Sequence, residues 1–161
     1  MRIETKAYLL LLASALVFDI LFTMPPFLLK SGLNADIIYR FFHPVCHQLD
    51  DRSFHIFGYK LAVCSRCASI YYGATFGMII YPLIYSLSTA KIPSIWILLI
   101  PFTATVVDFS LDYIPFLPKN TYLSRMITGT ALGLSIALFI VPVFILTFKD
   151  LVKSGAAQHE K

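Results

Sequence analysis

The sequence predicts an all-α integral membrane protein, a bundle of four transmembrane helices with a metal-binding loop between helices 1 and 2. Three observations carry that expectation. Hydrophobic residues make up 58% of the chain and charged residues 14%, with a mean hydropathy of +0.75, well outside the usual range of soluble domains. Four apolar stretches each have a length suited to a hydrocarbon core of about 30 Å. All three cysteines and three of the four histidines fall within residues 43–67.

The first stretch runs from about Ala7 to Leu29, too long an apolar core for a signal peptide and without a clear small-residue cleavage site. The others run from about Cys67 to Leu87, from Pro93 to Ile114 and from Met126 to Phe148. Inside lipid the backbone has no water to bond, so each is expected to be a helix. Pro82, Pro101 and Pro142 lie within these spans and predict kinks. Gly73 and Gly77 share one face of the second span, and Gly129 and Gly133 share one face of the fourth. That spacing lets helices approach closely, either within the bundle or between copies in a homo-oligomer. The whole chain, 1–161, reads as one multi-pass domain of the cell membrane.

A net charge of +4 suits anionic headgroups, so membrane lipids are the expected partners, and nothing points to nucleic acid. Lysines and arginines divide almost evenly between the two faces of a four-span arrangement, leaving the orientation open.

Between the first two spans the sequence reads HPVCHQLDDRSFHIFGYKLAVCSRC. Cys64 and Cys67 form a CxxC pair, Cys46 and His47 are adjacent, and His43 precedes Cys46 by three residues. Thiolates and imidazoles in two short groups suit tetrahedral Zn2+. The expected ligands are Cys46, His47, Cys64 and Cys67, with His43 as the alternative to His47. An odd number of cysteines argues against a pure disulfide framework, although a redox pair with Cys46 as exchange partner fits the same residues. His55 reads as a packing residue or as a donor behind the ligands.

Asp108 and Asp112 are spaced i, i+4 and share a face near the end of the third span. Charged residues in membrane segments usually face the bundle interior or a wet cavity. With Arg66 and Arg125 they are the candidate catalytic or ligand-binding residues, and an ion pair of Arg125 with either aspartate would equally serve as a structural fastening. Asp19, alone in the first span, reads as a partner for one of these arginines or as the edge of an aqueous cavity.

The run Cys46, His47, Gln48, then Arg52, Ser53, Phe54, then Cys64, Arg66, Cys67, Ile70, Tyr71 and Gly73 resembles a family of small prokaryotic membrane proteins, the domain-of-unknown-function family 2085. The resemblance extends to Asp108, Arg125, Thr128 and Gly129. Ala68, Ser69, Phe109 and Tyr122 depart from its usual Thr, Gly, Gly and Asn. The family implies no activity. Three readings therefore stand side by side. The first is a zinc-binding membrane protein whose Cys3His site adjoins an Asp/Arg cluster for a lipid or other amphipathic ligand. The second is a zinc-dependent enzyme acting on a lipid or polyprenyl substrate, and the third a quinone-linked thiol oxidoreductase using the CxxC pair.

Overall fold

The computed structural model describes residues 2–88, 91–111, 114 and 120–159, with residues 153–159 described as backbone alone. Helix α1 covers Ile3–Thr23 and stops where Pro25 and Pro26 withdraw two backbone N–H groups. The same prolines, preset in φ, start the short helix α2, Pro25–Lys30. Gly32, at a φ of +76°, turns the chain into α3, Asp36–Phe42.

An antiparallel hairpin follows, with β1 at Ser53–Ile56 and β2 at Tyr59–Cys64. Its two-residue turn places both Phe57 and Gly58 at positive φ, 57° and 82°, the primed geometry that matches strand twist. Phe57 tolerates that conformation because α2 holds its ring, with Phe27 edge-on at 5.5 Å and Lys30 Nζ 3.6 Å above it. Three helices complete the chain: α4 at Ser65–Ile84, α5 at Trp96–Leu111 and α6 at Tyr122–His159.

The expected fold is corrected in two respects. Among the described residues three helices, not four, are long and apolar enough to cross a membrane: Ile3–Thr23, Ser65–Ile84 and Tyr122–Val152. The third expected span is only the 16 residues of α5, which rise about 24 Å and fall short of a core of about 30 Å. Pro93 explains the late start, since it biases Ile92 away from helical angles, and residues 91–94 have neither helix nor strand. Second, the cysteines do not sit in a loop between helices 1 and 2. The segment between α1 and α4 is folded into α2, α3 and the hairpin, and the cysteine cluster is built at the end of α3 and of β2.

Helices α4 and α6 run parallel in the closest contact of the bundle. A Cβ on Gly73 would lie 2.8 Å from the Thr130 carbonyl oxygen, and one on Gly133 only 2.1 Å from that of Ile70. The GxxxG faces are thus used within the chain, against each other. Helix α1 packs antiparallel to both, through Tyr8 donating to the Met78 carbonyl at 3.0 Å and a Glu4–Lys149 ion pair at 2.9 Å. Helix α5 lies against α6, where Thr105 donates to the Thr128 carbonyl at 3.2 Å, and carries the chain back from the end of α4 to the start of α6.

Two separate apolar cores result. Ala7, Leu11, Met78, Tyr81, Ala137, Val141 and Ile145 fill the end near the termini. At the other end, Phe22, Phe42, Leu61, Val63 and Ala68 pack around Cys46, and Phe18 joins Phe42 and Tyr71 in edge-to-face contacts at 5.1 and 5.0 Å. This second core ties the hairpin and α3 to α1 and α4, and it forms the floor of the candidate site.

Candidate metal centre

Each cysteine is positioned by a different local device. After α3 the Cys46 N–H still donates to the Phe42 carbonyl at 3.0 Å, which turns the thiol inward beneath the buried Phe42 ring. Cys64 ends β2 and is the N-cap of α4, and Cys67 sits in the first turn of that helix. The three Sγ atoms all lie within 4.8 Å of one another. A tetrahedral ion with metal–sulfur bonds of about 2.3 Å would draw sulfurs to about 3.8 Å apart, so a small contraction converts this cluster into three ligands of one ion.

Backbone amides reinforce that purpose. The Cys64 N–H donates to Cys46 Sγ at 3.1 Å, and the Gln48 N–H also bonds that sulfur. The Cys67 and Arg66 N–H groups bond Cys64 Sγ, as first-turn amides of a helix without other partners do. Such donors favour thiolate over thiol. The Cys46 and Cys67 side chains, and then these amides, hold the Cys64 thiol well below its ordinary pKa. Cys46 moves the other way, raised by its side-chain bond to Cys64 and by burial.

Gln48 makes the amide at Cys46 available by adopting a left-handed conformation, φ 52°. Its side chain donates to the Tyr39 carbonyl at 2.7 Å, and Lys60 donates to its carbonyl at 2.9 Å. Those two bonds offset the strain of a non-glycine residue at positive φ.

The histidines do not join the cluster, which corrects the expected Cys3His site. Cys46 and His47 are consecutive in non-helical chain, so with Cys46 turned inward at 4% exposure the next side chain faces outward. His47 reaches only the wall of the adjoining pocket. His43, at the C-cap of α3, is exposed. His55 lies on β1 with Nε2 3.3 Å from the Asp50 carboxylate.

The polar residues deeper in the fold form one chain of contacts. Arg66 donates to the Asp108 carboxylate at 2.5 Å, with side-chain exposures of 12% and 8%. Asn120 donates to the Asp108 carbonyl at 3.0 Å and accepts from Arg125 Nε at 2.7 Å. Asp108 is therefore paired with Arg66, and Asn120 links it to Arg125. Asp112 lies outside the described residues. Asp19 is buried between α1 and α4, where Thr75 bonds its carboxyl group.

A cavity of about 320 Å³ opens between the cysteines and this chain, lined by all three thiols with Arg52, Arg66, Arg125 and Phe109 among others. The departures at Phe109 and Tyr122 belong to its surroundings. The Phe109 ring lies 5.3 Å from the Arg66 guanidinium, and the Tyr122 hydroxyl donates to the Asp51 carbonyl at 2.6 Å while its ring stacks on Phe54.

Sequence reasoning held Gln48 only as part of the family signature, with no role at the site, and missed Asn120. For Gln48 a signal existed, because the residue two after a ligand cysteine often offers its amide to the sulfur, as Arg66 does for Cys64. For Asn120 there was none, since its role depends on how the end of α5 meets the start of α6.

Comparison with known proteins places the chain among membrane proteins. An uncharacterized protein of Methanocaldococcus jannaschii is 37% identical over 146 residues, covering 86% of this chain and 93% of its own. No solved structure matches the chain. The profile of a family described as predicted membrane protein, DUF2085, matches residues 46–154, a range that holds all three cysteines, Asp108 and Arg125. This multi-pass integral membrane protein belongs to the DUF2085 family.

Proposed function

We propose that this protein is a membrane-embedded metal-thiolate protein in which Cys46, Cys64 and Cys67 bind one zinc ion. The observation that carries the reading is the convergence of three sulfurs from three separate elements to within 4.8 Å, with backbone amides aimed at two of them. Three thiolates select a soft or borderline metal and disfavour the hard oxygen-seeking cations. Zinc accepts four ligands, and sites with three protein ligands are those that exchange a fourth. The cysteines line the pocket shared with Arg52, Arg66 and Arg125, so the remaining position would face those guanidiniums. Zinc supplies Lewis acidity to the donor that takes this position. Arg66 is a positioning residue, and Asp108 fixes its side chain.

Elemental analysis of purified protein tests the reading. About one zinc per chain is expected, lost in each of Cys46→Ser, Cys64→Ser and Cys67→Ser and kept in His43→Ala and His47→Ala. Metal-free protein that takes up no zinc, with Cys64 and Cys67 joined as a disulfide, would overturn it.

A further inference from the structure

Asp19 is a carboxyl group inside a membrane span, and among the described residues no lysine or arginine pairs with it. It is only 8% exposed. The arginines that the sequence offered as partners are engaged elsewhere, Arg66 with Asp108 and Arg125 with Asn120. Thr75 bonds the carboxyl group from a neighbouring cavity that Asp19 also lines. Asp19 further borders a groove of about 350 Å³ formed with Ile20, Thr23, Met24, Phe27 and Tyr72.

The hydroxyl protons of this groove are already spent. Thr23 Oγ1 donates to the Asp19 carbonyl at 2.6 Å, so in its 2.5 Å bond with Tyr72 Oη the tyrosine is the donor. What remains for a ligand is a set of acceptors: the carboxylate oxygens and lone pairs on both hydroxyl oxygens. Such a set selects a hydrogen-bond donor, and a buried carboxylate without a counter-charge selects a cationic one. Ile20, Met24 and Phe27 are exposed and give the groove an apolar lip. Asp19 lies one turn, about 6 Å, from the end of α1 at Thr23, a depth that a lipid headgroup can reach.

We propose that this groove binds a membrane lipid whose headgroup ends in a primary ammonium. The ammonium sits on Asp19, Tyr72 Oη and Thr23 Oγ1, and the chains run along Ile20, Met24 and Phe27. Its three N–H donors match the three acceptor groups. A quaternary ammonium has no N–H to offer, and an anionic headgroup would meet a carboxylate. The site is separate from the cysteines and does not depend on zinc.

Native mass spectrometry of the full chain in detergent tests this, with phosphatidylethanolamine, phosphatidylcholine and phosphatidylglycerol of identical acyl chains titrated separately. The native protein should bind the ethanolamine lipid about tenfold or more tightly than the other two. Asp19→Asn, which keeps the shape of the side chain and an acceptor for Thr75, should bring the three lipids to similar affinity. Tyr72→Phe, at an exposed position, should weaken the preference in part, and it carries the test should Asp19→Asn fail to fold. Zinc content of the same samples should be unchanged in both variants, so the outcome stands apart from the metal reading. Equal binding of the three lipids by native protein would overturn the site, and so would a preference that survives Asp19→Asn or, if that variant does not fold, Tyr72→Phe.

Discussion

Arg66 lies between the two cysteines of the CxxC pair, and its guanidinium donates to the Asp108 carboxylate of α5 at 2.5 Å. One residue therefore joins the first turn of α4, which carries Cys67, to a helix that contributes no ligand. Both side chains are largely removed from solvent, so the pair is exposed to the logic of buried charges. Breaking one partner leaves an uncompensated charge, whereas removing both does not.

Asp108→Leu and Arg66→Met should each lower stability by about 3 to 5 kcal/mol, and the double variant with both changes should recover most of that loss. Thermal unfolding in one detergent measures the cycle. Additive losses in the double variant would mean that the two residues act independently.

The contact of α4 with α6 makes a sharper steric prediction. Gly133→Ala would drive a methyl group to 2.1 Å from the Ile70 carbonyl and 2.7 Å from the Ala74 nitrogen, both backbone atoms that cannot rotate away. A loss of about 1 to 3 kcal/mol or more is expected, visible as a lowered melting temperature. Gly58→Asn, at a positive φ with open space around it, should be mild by comparison, since asparagine tolerates that conformation.

These two helices also show what was legible in the sequence. That α1, α4 and α6 are apolar helices long enough to cross a membrane followed from hydropathy, although α6 runs to 38 residues where a span of Met126–Phe148 was expected, and the small faces at Gly73 and Gly133 followed from spacing. Helix α5 was overestimated because hydropathy does not register that Pro93 delays helix entry. The hairpin escaped notice since its turn, Phe57-Gly58, lacks the Asn or Asp that usually marks a primed turn and depends on α2 to hold Phe57. Three cysteines were identifiable as a cluster from proximity alone. Whether His47 joined them turned on which side of the chain it faces after α3, and adjacency in sequence says nothing about that.

Gln48 should matter to metal affinity although it is not a ligand. Gln48→Ala removes the side-chain anchor that keeps its amide on Cys46, and loss of such outer contacts typically weakens a metal site about 10- to 100-fold. Gln48→Gly, which reaches positive φ without strain, should weaken it less. Chelator competition on the zinc-loaded proteins ranks the three, and equal affinities would remove Gln48 from the site.

The Glu4–Lys149 pair, at 2.9 Å, joins the start of α1 to the far end of α6. Both termini should therefore report the same side of the membrane, opposite the cysteines, with α5 as the short return between α4 and α6. Reporter fusions at each end check this, and opposite sides would contradict the packing of α1 against α6.

X-ray absorption at the zinc edge, on native protein and on the His43→Ala, His47→Ala double variant, tests the central claim most directly. Three sulfurs at about 2.3 Å and one lighter atom are predicted, unchanged between the two proteins because neither histidine reaches the cluster. Fewer than three sulfurs, or an imidazole contribution that disappears in the double variant, would contradict the three-cysteine centre.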